Sequence, residues 1–427
     1  MEAVLQYVWQ HRLWESEQMK TTDGRKVLVL NPGTLNTDAG PDFFNAKIRV
    51  DDTTWVGNVE IHVRSGDWKR HRHDLDSAYD SVMLHVVETA DDVITRTDGS
   101  IIPQVELKVS PRVAECLQRL NTKEARGLTC RQYLPTLPSI VTTEWLEALA
   151  FERLQAKVNR LHEWQVMFNG SWQDVCYVTV ARALGMGVNS DAFERLARRT
   201  PLRLLSKHSD SVLQLEALLL GQAGLLDMNA VEGYAAQLAR EYAFLRNKFS
   251  LTPMESGAWK LFRMRPHNFP MRRIALLARI IHGGFGLMSD IVAAGNNVDK
   301  HRQLFAVPLD GYWASHFTLH GEETAAVGNK LSDATVNVLL INAVAPLLYA
   351  YGEFTGEDSL TDAAIDLLMA LPAERNSVVT TFTQAGLPCS TALDSQALIW
   401  LRRAYCETGK CMYCRFGHRM LRRAATQ

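Results

Sequence analysis

Long apolar runs are missing from this 427-residue chain. A bilayer-crossing helix needs about 18 or more consecutive apolar residues. The best stretch, Val336 to Tyr351, is interrupted by Asn337, Asn342 and Pro346, so it reads as a buried helix and no membrane partner is expected. The first residues, MEAVLQYVWQHRLWESEQ, lack the basic start, apolar stretch and small-residue cleavage site of a signal peptide, which predicts a cytoplasmic protein. An excess of one charge is missing too. With 46 Lys and Arg against 47 Asp and Glu, nothing draws the whole molecule to nucleic acid or membrane, and any such contact needs a local patch. No Gly-x-x-x-x-Gly-Lys-Ser/Thr loop or Gly-x-Gly-x-x-Gly fingerprint occurs, which argues against the common nucleotide-binding folds. No Gly-x-Ser-x-Gly elbow occurs either, so serine hydrolysis is not expected. Cysteine is sparse and odd in number, seven in all, and three crowd between Cys406 and Cys414, which favours a metal site over a disulfide framework.

What is present divides into two textures. The length exceeds the roughly 250–300 residues at which one hydrophobic core stops growing, so at least two domains are expected. From Lys26 to about Val109, short runs rich in Val, Ile, Thr and Trp (KVLVLN, AKIRV, TWVGNVEIHV, SVMLHVV, QVELKV) alternate with Gly, Asp and Asn turns and predict a sheet. Leu5, Val8, Trp9 and Leu13 have helical spacing, which predicts a helix over Leu5 to Met19 lying on that sheet, in an α-β-β-β-(α)-β order. From about Thr142 the apolar period becomes 3.6, as in Leu146, Leu149, Leu154, Val158 and Leu161, and predicts helices. The segment CRQYLPTLPS, with Pro135 and Pro138, is the expected linker. The expected fold is therefore α+β, with a mixed-sheet domain over 1–133 followed by an all-α domain over 140–427 that ends in a cysteine-rich metal knuckle.

Four of the 13 histidines, His62, His71, His73 and His85, fall within 24 residues beside Asp42, Glu60, Asp67, Asp74 and Asp76. Carboxylates and imidazoles at that density point to divalent-metal chemistry. In VEIHV the side chains of Glu60 and His62 lie two apart and share one sheet face, opposite Val59, Ile61 and Val63. Antiparallel pairing of AKIRV with TWVGNVEIHV would bring Asp42 to Glu60. Two carboxylates suit Mg²⁺ or Mn²⁺, which would activate water for hydrolysis. His71, His73 and Asp74 offer an alternative Zn²⁺ or Mn²⁺ site, since imidazole suits softer ions, and Asp74 or Asp76 could cap a short helix. His85, among apolar neighbours, reads as a hydrogen-bonded core residue.

Pro41-Asp42 followed by Glu60-Ile61-His62 resembles the PD-(D/E)xK nuclease superfamily, with histidine in place of lysine. The resemblance implies metal-dependent phosphodiester hydrolysis on DNA or RNA, with Asp42 and Glu60 as metal ligands and His62 as base or third ligand. It also implies Glu15 as an accessory acid, and Asp76 and Tyr79 lining a groove where Lys69, Arg70 and Arg72 touch phosphate. Loss of the lysine leaves a second reading, a scaffold that binds nucleic acid or assembles without cutting. The pattern GPDF…VEIH…DW..H.H..D..Y….LHVV with the C-terminal cysteines also resembles a bacterial family of unknown function, DUF2851, over nearly the whole chain.

At the other end Cys406, Cys411, Cys414 and His418 form C-x4-C-x2-C-x3-H, a spacing suited to one tetrahedral Zn²⁺. Free thiols or a Cys411–Cys414 redox pair are alternatives. An iron–sulphur cluster is a third, with Cys389 in place of His418 as fourth ligand. Some PD-(D/E)xK members that act on DNA ends carry such a cluster on three late cysteines and one far upstream. The same tail is basic, with Arg402, Arg403, Lys410, Arg415, Arg419, Arg422 and Arg423 against Glu407 alone, and suits phosphate. A second basic group, KLFRMRPHNFPMRR, holds Arg263, Arg265, Arg272 and Arg273 at an expected helix start, where outward backbone donors favour anions. These arginines are the candidate nucleic-acid contacts.

Overall fold

The computed structural model describes residues 2–14, 19–121, 128–262, 264–324 and 329–426. Glu15 and Arg263 lie outside the described residues. The chain forms a mixed α+β structure that divides into two compact units, one made of Met1–Pro138 with Leu401–Gln427 and the other of Ser139–Trp400.

The first unit opens with helix α1 (Glu2–His11), which buries Leu5, Val8 and Trp9 on one face, as their spacing dictates. Seven strands follow, β1 (Met19–Lys20), β2 (Lys26–Asn31), β3 (Thr34–Leu35), β4 (Phe43–Val50), β5 (Thr53–Arg64), β6 (Val82–Thr89) and β7 (Gln104–Glu106). They lie in the order β1-β2-β4-β5-β6-β7, with β3 on β4. The pairs β2–β4 and β4–β5 are antiparallel, in the registers Val27↔Val50 and Val50↔Thr53. Asp51 makes the tight connection between β4 and β5 with a left-handed φ of 49°, and its Oδ1 accepts the Lys26 amide at 3.0 Å. β5–β6 and β6–β7 are parallel, in the registers Glu60↔His85 and His85↔Gln104. The β5–β6 crossover contains the short helix α2 (Asp67–Arg70) and two single 3₁₀ turns, where Asp76 Oδ1 caps by accepting the Ala78 amide at 2.9 Å.

Strand alternation separates the two faces of this sheet. Val27, Val29, Ile48, Val59, Ile61, Leu84, Val86 and Val105 pack with α1 and with Val113, Leu117 and Leu120 of helix α3 (Pro111–Asn121) in one core. Glu60, His62, His85 and Gln104 are buried on the other face, beside a small cluster of Trp68, Val82, Ile94 and Ile102.

The C-terminal residues depart from the expected 140–427 domain. Leu401–Gln427 belong to the sheet unit, because helix Arg415–Thr426 is amphipathic and sends Leu421 into the sheet core, with Cys411, Met412 and Met420 packed around it. Gly417 makes that docking close: a Cβ there would collide with the Cys411 carbonyl. Gly417→Ala is therefore expected to destabilise the protein by about 1–3 kcal/mol, read as a lowered thermal midpoint.

Among the described residues the second unit is helical, apart from an isolated antiparallel bridge between Pro372 and Thr391. Helix α4 (Ser139–Met167) starts right after the expected linker and buries Leu146, Leu149, Leu154, Val158 and Leu161. The apolar stretch around Val336 forms part of a helix over Asp333–Thr355 that is long and apolar enough to cross a membrane, and 61% of its most apolar window is buried inside the protein. A π segment at Leu340–Val344 precedes Pro346, which cannot donate to the turn before it. Gly283 closes helix Pro270–His282.

Candidate metal centre

The parallel register of β5, β6 and β7 lines up Glu60, His85 and Gln104 across three strands, with His62 one pleat further along β5. All four side chains are buried. His85 Nε2 lies 2.8 Å from His62 Nδ1, and His85 Nδ1 lies 3.4 Å from Gln104 Oε1. Gln104 is itself oriented, since its Nε2 donates to the Asp92 carbonyl at 2.8 Å and its Oε1 accepts from Ser65. An acceptor oxygen at the end of this row assigns the protons. His85 donates from Nδ1 to Gln104 and accepts at Nε2 from the His62 Nδ1–H. The His62 Nε2 lone pair then faces away from the relay, toward the β5–β6 crossover.

That crossover supplies two more imidazoles. His71 Nδ1 lies 3.2 Å from His62 Nε2. His73 stacks on His62 at 5.4 Å between ring centroids and on Tyr79 at 3.7 Å. Between the two histidines Arg72 takes a left-handed φ of 62°, a conformation that costs a non-glycine residue about 1–2 kcal/mol and turns the chain so that both neighbours face His62. One ring nitrogen each from His62, His71 and His73 lies within 4.8 Å of the other two. Glu60 Oε1 stands 3.5 Å from His62 Nε2 and 3.5 Å from His73 Nε2. Ligand atoms about 2.0–2.2 Å from a tetrahedral ion are about 3.3–3.6 Å apart; the His62–His71, Glu60–His62 and Glu60–His73 separations are close to that range, whereas the three imidazoles as a group are looser, within 4.8 Å.

Asp42 meets Glu60, as the expected strand pairing required. A bulge in β4, where Asn45 has φ of 55°, shifts the register between Phe43 and Ala46. The Asp42 amide donates to Glu60 Oε2 at 3.0 Å, while Asp42 Oδ1 accepts from Gln6 Nε2 and Oδ2 from the Ile61 amide, both at 2.9 Å. Both Asp42 oxygens thus hold α1 and β5 in place, and Glu60 Oε1 is the carboxylate atom directed at the imidazoles.

Burial dominates the electrostatics of this cluster. Burial raises the Glu60 carboxyl well above its usual range, and the neighbouring Asp42 raises it further. Asp42 is raised by burial as well. In the other direction burial, then the adjacent His85, His73 and His71, push His62 down to about 2, and burial takes His85 to about 4. The imidazoles are already in the neutral form that a metal binds, and a divalent ion would reverse the carboxylates' resistance to ionisation, because metal binding selects the deprotonated ligand. The donor set of three imidazoles and one carboxylate fits Zn²⁺ or Mn²⁺ better than Mg²⁺.

The remaining candidates fall in several places. Burial and then the neighbouring His71 lower His73, against the smaller opposing effects of Asp76 and Asp74. Trp68 is fully buried, donates to the Thr95 carbonyl at 3.0 Å and packs on His73 and His85, so it covers the site. Lys69 pairs with Asp92 at 2.7 Å and Arg70 with Asp67 at 2.9 Å. Arg272 and Arg273 are buried, at 4% and 3% exposure, and Arg272 donates to the carbonyls of Trp313 and His316. They face the protein interior, which corrects the expectation that they contact phosphate, whereas Arg265 is exposed. Arg415, Arg419 and Arg422 are exposed at i, i+4 and i+7 of helix Arg415–Thr426 and share one basic face. His418 is turned to Tyr7, whose hydroxyl lies 2.6 Å from its Nδ1, and Cys389 belongs to the second unit beside Asp394 and Glu374.

A mixed α+β unit that holds a buried histidine–carboxylate cluster on one sheet face is the class these features define. The chain belongs to the family described as Protein of unknown function (DUF2851), whose pattern matches residues 2–377. That span includes the whole cluster. No curated protein and no solved structure matches the chain.

Proposed function

We propose that the sheet unit is a metal-dependent phosphodiesterase acting on DNA or RNA, with His62, His71, His73 and Glu60 as ligands to Zn²⁺ or Mn²⁺. The observation that carries this reading is the convergence of one ring nitrogen from each of three imidazoles within 4.8 Å, beside Glu60, whose Oε1 lies 3.5 Å from the Nε2 atoms of His62 and His73. A bound ion would lower the pKa of its water and polarise a phosphoryl oxygen. Asp42 positions Glu60 through its own amide and ties α1 to β5. Two features favour a phosphodiester over other substrates. The succession of α1, an antiparallel β2–β4–β5 meander, a helical crossover and parallel β6 is the order the PD-(D/E)xK resemblance implies. The same unit also carries the basic face of Arg415, Arg419 and Arg422.

Histidine at position 62 instead of lysine favours a second reading, in which the protein binds nucleic acid without cutting it. The purified full-length chain, assayed with single- and double-stranded DNA and RNA in Mn²⁺, Zn²⁺ or chelator, separates the two. The hydrolase reading expects metal-dependent cleavage that His73→Ala reduces by more than the roughly 10–100-fold that losing an outer-shell partner costs. Salt-sensitive binding with no cleavage under any metal would replace it with the binding reading, and absence of metal binding would overturn the metal assignment.

A further inference from the structure

The sheet face that holds the histidine cluster extends well beyond it. By the two-residue period of a strand, Glu60 and His62 share their face with Thr54 and Val56 further back along β5. Antiparallel pairing carries that face outward: Val56 stands opposite Lys47 and Thr54 opposite Arg49 on β4, Arg49 opposite Leu28 on β2, and Lys26 of β2 opposite Lys20 of β1. Cover is lost along the way. Glu60 is 5% exposed and Val56 67%, and Lys20, Lys26, Lys47 and Arg49 are all exposed.

The charge on this open part is of one sign. Among the described residues the ion pairs of the sheet unit use other side chains, so none of the four cations is neutralised by a carboxylate. The acids closest in sequence, Asp23, Asp51 and Asp52, lie in the turns between strands. Like charges directly opposite each other in an antiparallel pair are destabilising, and Lys20 faces Lys26 in that way. Lysine on an edge strand blocks unwanted strand pairing, which accounts for Lys20 on β1 but not for Lys47 and Arg49, because β4 has β2 and β5 on either side. The other basic surface of the unit lies elsewhere. The helix that carries Arg415, Arg419 and Arg422 sends Leu421 into the core on the opposite side of the sheet, so only the strand cations share a face with Glu60 and His62.

We infer that the open sheet face of Lys20, Lys26, Lys47 and Arg49 binds the sugar–phosphate backbone of a nucleic acid and leads it to the histidine cluster, a step that rests on the proposed reading of nucleic acid as substrate. Charge complementarity selects this occupant: four unneutralised cations on one surface suit a polymer with a regular row of phosphates. Leu28 and Val56, 49% and 67% exposed, lie between the cations and offer apolar surface to the sugars. The spacing also fits. At about 3.4 Å per residue, the rows of Val56 and Thr54 lie about 14 and 20 Å from Glu60 along β5. That distance is about four to six nucleotides of duplex at about 3.4 Å each, so the cations would hold the strand several nucleotides from the reacting phosphate. Because these contacts read phosphate and not base edges, the face would bind without regard to sequence.

The test measures binding of the full-length protein to labelled DNA and RNA of about 20 nucleotides, single-stranded and duplex, across a range of salt. Chelator is present, so cleavage does not enter. Lys47→Ala/Arg49→Ala should keep the wild-type melting temperature, because both side chains are exposed and make no ion pair. Each phosphate contact contributes about 0.9 to the slope of log K against log salt on duplex and about 0.7 on single strands, so the variant should lose about 1.4–1.8 from that slope. Its deficit in affinity then grows about 25–60-fold for each tenfold fall in salt. The same loss of charge in the second unit, Arg240→Ala/Lys300→Ala, should keep the wild-type slope. Wild-type slope and affinity in Lys47→Ala/Arg49→Ala overturn the inference, as does an equal loss in the second-unit pair. Either result leaves the phosphodiesterase reading to its own test, metal-dependent cleavage. Weakened binding by the variant, with no cleavage by wild type under any metal, keeps the surface and removes the hydrolase. A wild type that binds phosphatidylserine vesicles through these cations, and neither DNA nor RNA, overturns both.

Discussion

His62→Ala is expected to abolish Mn²⁺ binding at the sheet face, whereas His85→Ala should weaken it by about 10–100-fold, the usual cost of losing a group that orients a ligand. The difference follows from geometry. His62 Nε2 sits within 3.2–3.5 Å of His71 Nδ1 and Glu60 Oε1 and is the central donor of the set. His85 touches only the far side of that ring, at Nδ1, where it fixes the tautomer that frees Nε2. Mn²⁺ is the right probe because thiolates select softer ions, so the cysteines contribute little to the signal. His71→Ala gives the cleanest version of the experiment, because His71 is exposed and its removal leaves the buried relay intact. Its metal-free melting temperature should match the wild type. A wild-type protein at 1,000 times its dissociation constant gains about 4 kcal/mol from the ion, and most of that gain should vanish in the variant. An identical Mn²⁺-dependent rise in melting temperature for His71→Ala and wild type would exclude the histidine cluster as the binding site.

Part of this centre is legible in the sequence. The two-residue spacing of Glu60 and His62 fixes their common face, and the apolar residues between them fix the opposite one, so strand alternation alone locates the heart of the site. Asp42 is legible for a related reason, since the antiparallel β4–β5 pair brings the start of one strand beside the end of the other. The role of His85 is hidden by its setting. β6 is buried on both faces, so SVMLHVV shows no alternation to reveal that His85 shares a face with Glu60 and Gln104. Parallel register across a crossover is a long-range property, and no local pattern encodes it. The convergence of His71 and His73 depends on left-handed Arg72, a residue type that gives no hint of positive φ. The placement of the last helix does carry a signal, one that a reading for charge alone overlooks. Phe416, Met420, Leu421 and Ala424 have core-facing helical spacing, so FGHRMLRRAA is an amphipathic helix in need of a surface and not merely a basic tail.

Glu60→Gln should have opposite effects on the metal-free and metal-bound protein, and that opposition tests the site more sharply than loss of activity alone. Burial and the nearby Asp42 raise the Glu60 carboxyl in the folded state. Between the unfolded value near about 4.3 and the raised folded value, the unfolded chain has released a proton that the folded protein keeps, so stability falls as pH rises through that window. At pH 7–8 the wild type therefore carries a penalty that a neutral amide removes. The substituted carboxamide could accept the Asp42 amide through its oxygen and donate through its NH₂ group to the unprotonated Nε2 atoms of His62 and His73, which repeats the contacts of Glu60 without its charge. In chelator at pH 7–8 the variant should be more stable than wild type by about 1–3 kcal/mol, a gain that shrinks as pH falls toward about 4.5, where the unfolded carboxyl is also protonated. With Mn²⁺ present the order should reverse, because the ion loses its only directed carboxylate and wild-type Glu60 no longer sits beside an empty charge balance. Denaturant unfolding at two pH values, with and without Mn²⁺, reads all four states. A variant less stable than wild type in chelator at pH 8 would mean that Glu60 is already balanced by a positive partner, and a cation at this face would lose its electrostatic support. The trade-off, a folded state strained by its own ligands until the ion arrives, is the stability signature expected of a preorganised metal site.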